Sequence, residues 1–198
     1  MDESREVAVR IAAGRDELSA IYRLRYEAYL RKGYISPNSS GMKTDEWDEL
    51  STTIQFVALN EGKVVGAVRL VLDSPKGLPM ERVFPREVAD LRAQGRKVAE
   101  ASTLVVDTCN YEPAQRTWLR LCKALWQEAE AQRVNDLCIA LTRNHLNLYR
   151  SLLFERIGEG KRYQALKGVF AYPLRLRIGS VKLSASLKRS HHAASLRK

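Results

Sequence analysis

Apolar and polar residues alternate at the start of the chain, where Val7, Val9 and Ile11 have the period of a half-buried strand. Gly14-Arg15-Asp16 then opens a helix running to about Arg31, with Leu18, Ile21, Tyr22 and Tyr29 on its buried stripe. A polar stretch containing Gly, Ser and Pro spans residues 33–51. Two β-rich runs follow, Thr53–Leu59 and Val64–Leu72; Asn60-Glu61-Gly62-Lys63 between them signals an antiparallel hairpin. A short helix is expected over Pro85–Gln94 and a strand over Lys97–Asp107. From Pro113 to about Gln132, apolar residues recur at helical spacing, with Trp118, Leu121, Cys122, Leu125 and Ala129 as the stripe and proline suited to the first turn. A strand over Leu137–Leu141, a helix capped by Asn144, and strands over Arg156–Tyr163 and Val169–Leu176 complete the order β-α-β-β-(α)-β-α-β-α-β-β.

Three polar residues stand where this pattern asks for apolar ones. Arg25 lies three residues after Tyr22 and four before Tyr29, on the buried stripe of the first helix. Arg69 shares its strand face with Val65, Ala67 and Val71, and Glu100 shares one with Val98, Leu104 and Val106. A buried guanidinium requires acidic partners. The densest acidic segment is Thr44-Asp45-Glu46-Trp47-Asp48-Glu49, which makes Asp45 and Asp48 the candidate counter-charges. A carboxylate on an apolar strand face is a candidate general base, and equally a structural partner for one of the arginines.

Composition narrows the picture further. With 198 residues and 45% hydrophobic content, the chain matches one globular domain over residues 1–178, followed by a flexible basic tail over 179–198 with five Lys/Arg and no acid. No apolar run reaches the length of a membrane span and the start is too acidic for a signal peptide, so a cytoplasmic location is expected. Cys109, Cys122 and Cys138 have no paired spacing; they suggest buried thiols, not a disulfide framework or a metal site. The net charge of +10 is concentrated in the second half, with 16 basic and 16 acidic residues in 1–100 against 17 and 7 in 101–198. Such asymmetry suits an acidic protein, a nucleic acid or a membrane surface.

In order and spacing, these positions resemble the autoinducer-synthase pattern: Arg25-x-x-x-Tyr29, Asp45-x-x-Asp48, Gly66-x-x-Arg69-Leu70 and Glu100-x-Ser102, over roughly residues 18–106. The remainder is similar to the latter half of a GNAT domain. The resemblance extends to the N-acyl amino acid synthases, the N-acyl tyrosine synthases of soil bacteria among them. It implies an α/β (α+β) GNAT-like acyltransferase fold, a mixed central sheet flanked by helices. The implied activity is transfer of a long fatty acyl chain from acyl carrier protein to the α-amino group of an amino acid, tyrosine in the N-acyl tyrosine synthases.

On that reading Glu100 takes the amine proton. Ser102, or main-chain amides near Leu104–Val106, faces the developing oxyanion. Arg25 or Arg69 binds the amino-acid carboxylate, Asp45 and Asp48 orient the arginines, and Tyr29 lies beside them. The segment 107–116 has no glycine and two acids, unlike the pyrophosphate loop of CoA-using relatives, so a carrier protein is the expected donor. No cofactor is expected beyond the phosphopantetheine arriving with that carrier. Arg116, Arg120, Lys123, Arg143, Arg150 and Arg162 are its candidate docking residues. Two other readings stay open at this point: an acyl-homoserine-lactone synthase, in which S-adenosylmethionine replaces the free amino acid, and a basic nucleic-acid-binding module. The second lacks a helix-turn-helix, zinc or OB signature.

Overall fold

A computed structural model describes residues 7–108 and 114–179. The basic tail from Ser180 onward, Cys109 and Pro113 lie outside the described residues. Eight strands form one mixed sheet: β1 (Ala8–Ile11), β2 (Thr53–Asn60), β3 (Lys63–Leu72), β4 (Val98–Val106), β5 (Asp136–Thr142), β6 (Glu155–Arg156), β7 (Lys161–Tyr163) and β8 (Val169–Arg177). Their hydrogen-bonded order is β1-β2-β3-β4-β5-β8-β6, with β7 also on β8. The helices are α1 (Gly14–Arg31), α2 (Pro85–Ala93), α3 (Ala114–Ala131) and α4 (Leu146–Ser151). The chain divides into two compact units, Met1–Leu70 with Ser102–Leu125, and Val71–Ala101 with Trp126–Lys198.

In the first unit, β1 pairs antiparallel with β2, Ala8 opposite Leu59 and Ile11 opposite Phe56. The loop between β2 and β3 is two residues long, which joins only antiparallel neighbours, and Glu61 (φ 51°) and Gly62 (φ 79°) both adopt the left-handed conformation that matches strand twist. The core here is Ile21 of α1, Val57 of β2, Ala67 of β3 and Val105 of β4, with Tyr22, Leu24, Tyr29 and Leu59 packed around it. The amide of Asp107 donates to the carbonyl of Val65, continuing the sheet past the end of β4. Thr103, inside β4, has φ 53°, a conformation costly for a β-branched residue that interrupts the pleat as a bulge does. Strict alternation therefore does not carry from Glu100 through to Leu104 and Val106: Val105 is the residue buried in the core, while its two neighbours are half-buried.

In the second unit, Val98–Glu100 of β4 pair in parallel with Asp136–Cys138, and β5 pairs antiparallel with β8 along its whole length, from Asp136 opposite Arg177 to Thr142 opposite Ala171. The expected strand over Arg156–Tyr163 is two short strands, both antiparallel to β8. Their interruption contains Gly158 and Gly160, where a Cβ would fall 2.6 Å from Glu87 Cγ and 2.2 Å from a ring carbon of Phe170. Neighbouring side chains crowd both positions, so a residue with a Cβ would force a shift there.

Three further expectations change in detail. Ile11, on the edge strand β1, is 49% exposed among the described residues. Asn144 does not cap α4; it sits within a 3-10 turn, Arg143–His145, and His145 is the N-cap, with no side-chain cap bond. The buried stripe of α3 runs Thr117, Leu121, Leu125 and Ala129 at spacing four, with Trp126, while Trp118 and Cys122 are half-buried beside it.

Gly66 explains one motif position physically. A Cβ there would lie 3.1 Å from Leu121 Cδ1, 3.1 Å from Thr117 Cγ2 and 3.3 Å from the Val105 carbonyl oxygen, so β3 and α3 approach as closely as a missing side chain allows. We expect Gly66→Ala to overpack this contact and lower unfolding free energy by about 1–3 kcal/mol, measured by chemical denaturation.

Candidate active site

A lattice of charges is buried in the first unit. Arg25 is fully buried, Arg69 is 1% exposed and the Asp48 side chain 2%. Arg25 Nη1 donates to Asp48 Oδ1 at 2.7 Å, and its Nη2 donates to Gln55 Oε1. Arg69 uses every nitrogen: Nη1 donates to Asp45 Oδ1 (2.6 Å) and Asp48 Oδ1 (2.8 Å), Nη2 to Asp45 Oδ2 (3.0 Å), and Nε to Ser102 Oγ (3.1 Å). The pairing with Asp45 is the bidentate fork that a guanidinium makes best. The acidic loop is locked onto itself: the Asp45 amide donates to Asp48 Oδ2 (2.9 Å) and the Trp47 amide to Asp45 Oδ1 (3.1 Å). The Arg25 guanidinium also lies 5.4 Å from the centre of the Tyr22 ring, a cation–π contact.

The electrostatics follow from this wiring. Burial alone would raise the Asp48 carboxyl, but Arg25 and Arg69 together hold it below its ordinary value. Burial likewise works against the Arg69 cation, and the hydrogen bonds and charges of Asp45 and Asp48 overcome it and raise its pKa. Desolvation raises the phenols of Tyr22 and Tyr29. Tyr29 packs edge-on against Tyr34, ring centres 5.9 Å apart.

The structure thus brings Arg25, Arg69, Asp45, Asp48 and Ser102 together in one network. It adds Gln55, which sequence reasoning passed over. Gln55 accepts from Arg25 and donates Nε2 to Asp48 Oδ1 at 2.8 Å, so only this orientation of its amide satisfies both neighbours. The signal was available: a glutamine stands between Ile54 and the apolar run Phe56-Val57-Ala58-Leu59. With Arg69 fully engaged and Arg25 joined to Asp48 and Gln55, the fork suited to a substrate carboxylate is already occupied by protein groups.

Glu100 lies in the second unit, 4% exposed, and its Oε2 accepts the Met80 amide at 2.7 Å. Met80 belongs to a 3-10 turn, Pro79–Arg82, that is itself clamped. Glu81 accepts the Leu78 amide (2.6 Å) and Arg92 Nη1 (2.7 Å), and Arg92 Nε reaches Asp73 (2.9 Å). Asp136, fully buried beneath the start of β5, pairs with Arg96 and lies 3.7 Å from Arg175.

The basic residues divide. Arg116 and Lys123 on α3 are exposed, but Arg120 Nη1 donates to the Val7 carbonyl at 2.6 Å, so this arginine ties down the start of β1 and does not stand free on a docking surface. Arg143, Arg150 and Arg162 are exposed in the second unit, with Arg162 donating to the Gly168 carbonyl at 3.3 Å. Of the described cysteines, Cys138 is buried as expected, whereas Cys122 is only half-buried. Burial still pushes the Cys122 thiol up to about 12, and burial together with the charge of Glu100 raises that of Cys138. Both shifts disfavour the thiolate, the form in which a cysteine acts as a nucleophile. Among the described residues no cluster of His, Cys, Asp and Glu is arranged to hold a metal, and no helix is long and apolar enough to cross a membrane.

Because Asp48 serves both arginines, Asp48→Asn leaves two buried cations with one carboxylate. We expect a loss of about 3–5 kcal/mol in unfolding free energy at pH 7. The Asp48 pKa is depressed on folding, so its contribution is fully present above its unfolded value of 3.8 and disappears as pH falls through the lower folded value. Denaturation curves of wild type and Asp48→Asn should accordingly converge as pH is lowered toward 2.

Comparison with known proteins identifies the fold and the family. No curated protein sequence matches the chain. The structure of FeeM, an N-acyl amino acid synthase from uncultured soil microbes, superposes with a TM-score of 0.81 at 24% identity, covering 91% of this chain and 94% of that one. The acyl-homoserine-lactone synthase LasI gives 0.69 at 19% identity, covering 92% and 95%. An acyl-CoA N-acyltransferase from Pseudomonas aeruginosa gives 0.61 at 15% identity, covering 86% and 99%. At these identities the likenesses establish the fold, which is that of the GNAT-like N-acyltransferases. The family profile described as "N-acyl amino acid synthase FeeM" matches residues 20–177, and the chain belongs to that family, an acyltransferase that acts on an amine.

Proposed function

We propose that this protein transfers a long-chain fatty acyl group from the phosphopantetheine thioester of an acyl carrier protein to the α-amino group of an amino acid, tyrosine first among the acceptors. The observation that carries the reading is Glu100, a buried carboxylate with one oxygen fixed by a main-chain amide, in a chain of the N-acyl amino acid synthase family. An α-amino group with a pKa near about 8 is mostly protonated at neutral pH and attacks a thioester only after losing that proton. Glu100 accepts it. The amine nitrogen then bonds to the acyl carbon and the carbon–sulfur bond breaks; the second proton, which nitrogen sheds on becoming an amide, leaves with the thiol, and the first passes from Glu100 to solvent.

Ser102 is assigned to the oxyanion. Its Oγ accepts from Arg69 Nε, so the hydroxyl hydrogen points away from the guanidinium and is available to donate. Arg69 orients Ser102, and the Asp45–Asp48 pair holds Arg69 in turn. Each methylene buried from the acyl chain contributes about 0.8 kcal/mol, which favours long chains wherever the protein encloses them.

The donor assignment rests on the glycine-free sequence over 107–116 and on the basic second half of the chain. Arg116 and Lys123, exposed on α3, supply the attraction for an acidic carrier. The acyltransferase from Pseudomonas aeruginosa is named for acyl-CoA, so the two donors need direct comparison.

Two tests follow. Glu100→Gln should lower turnover by roughly two to four orders of magnitude near neutral pH with little change in KM, measured by mass spectrometry of the acylated product. Near-normal turnover in a folded variant would remove Glu100 from the chemistry. With acyl-carrier and acyl-CoA donors compared from low to high salt, only the carrier reaction should weaken as salt rises and on reversal of Arg116 and Lys123 to Glu. Equal use of acyl-CoA, or indifference to both salt and charge reversal, would overturn the donor assignment.

A further inference from the structure

The buried lattice in the first unit is electrically closed. Arg25 and Arg69 contribute two positive charges, and Asp45 and Asp48 contribute two negative ones. Beside it sits one more cation, Lys43, on the same loop and two residues before Asp45. Its backbone is fixed: the Lys43 amide donates to the Tyr22 carbonyl of α1 at 3.0 Å, just where the Tyr22 ring covers Arg25. Its side chain is half-buried and its ammonium has one hydrogen bond, to the neighbouring Thr44 carbonyl at 3.1 Å. Among the described residues it makes no ion pair, although Asp45 and Asp48 are near enough to act on it. Desolvation lowers its pKa, followed by the attraction of the two aspartates and the repulsion of Arg69 and Arg25.

An ammonium has three donors, and here two are unspent. The lattice is neutral without Lys43, and both aspartates are already committed to the arginines, so among the described residues the ammonium feels their attraction without being paired to either. A partly desolvated cation in that position is stabilised by an incoming anion. The family's acceptor brings one, since an amino acid carries a carboxylate next to the amine that is acylated. The arginines that sequence reasoning offers for this carboxylate are occupied.

We propose that Lys43 is the carboxylate anchor of the acceptor site, its ammonium holding the α-carboxylate of the amino acid while Arg25 and Arg69 remain structural. This assignment rests on the reading of the protein as an amino-acid acylating enzyme. The Tyr22 carbonyl then fixes the Lys43 backbone, while the lattice, by engaging both aspartates, leaves the ammonium without an ion-pair partner of its own.

The test uses the full-length enzyme with acyl carrier protein as donor, and with L-tyrosine and its decarboxylated counterpart tyramine as acceptors. Wild type should use tyrosine with a KM well below that for tyramine. Lys43→Met should raise the KM for tyrosine about ten- to hundredfold, the worth of a charge-assisted contact, with kcat changed little and tyramine kinetics unaltered. Lys43→Arg should keep the KM for tyrosine within a few-fold of wild type. A wild type that does not distinguish the two acceptors would overturn the assignment whatever the variants do. So would a folded Lys43→Met with an unchanged KM for tyrosine, or one that loses tyramine activity equally. If wild type acylates no amino acid in a screen of all twenty, the functional reading itself fails and Lys43 falls with it; if it does and Lys43→Met is silent, only the anchor is lost.

Discussion

Two guanidinium groups taken out of water set the terms for the first unit. An uncompensated buried cation costs several kcal/mol, so Arg25 and Arg69 exist where they do only because Asp45 and Asp48 are brought to them. That requirement folds the polar loop after α1 back onto β2 and β3, fixes Gln55, and aims Arg69 Nε at Ser102. Replacing such a lattice with apolar residues of similar volume is often neutral for stability. What the charges supply here is placement: a hydroxyl on β4 and a lysine on the loop each acquire a defined neighbourhood from them.

The second unit achieves a similar end by a different route. Glu100 is held by the amide of Met80, and the 3-10 turn carrying that amide is clamped through Glu81, Arg92 and Asp73. Arg92 is a third exposed and its partners are acidic side chains at the unit's surface, so this clamp is more open to water than the lattice around Arg69. Both arrangements fix a polar side chain of β4, Ser102 in one and Glu100 in the other, with ion pairs a step removed from it.

Much of this was legible in the sequence because it is periodic. The helix over Gly14–Arg31, the hairpin across Glu61-Gly62 and the misfit of Arg25, Arg69 and Glu100 are readable from spacing alone, and the need of buried arginines for acids points to Asp45 and Asp48. What escaped is what periodicity does not encode. The left-handed Thr103 breaks the alternation on β4, Gly158 and Gly160 split one expected strand into two, and Arg120 spends its charge on a carbonyl more than a hundred residues away in sequence. Lys43 looks like any loop lysine until the charges around it are seen to be paired with one another.

The thiols bear on chemistry that the enzyme must avoid. A thioester passes its acyl group to any thiolate as readily as to an amine, and a protein cysteine so acylated would divert the substrate and block its own surroundings. Burial raises the Cys122 thiol well above its ordinary value, which disfavours the thiolate at neutral pH. Cys138 is shifted in the same direction by its burial and by the nearby Glu100 charge. Burial and the Glu100 charge thus act together against the Cys138 thiolate, so the carboxylate proposed to activate the amine also works against acylation of the sulfur opposite it.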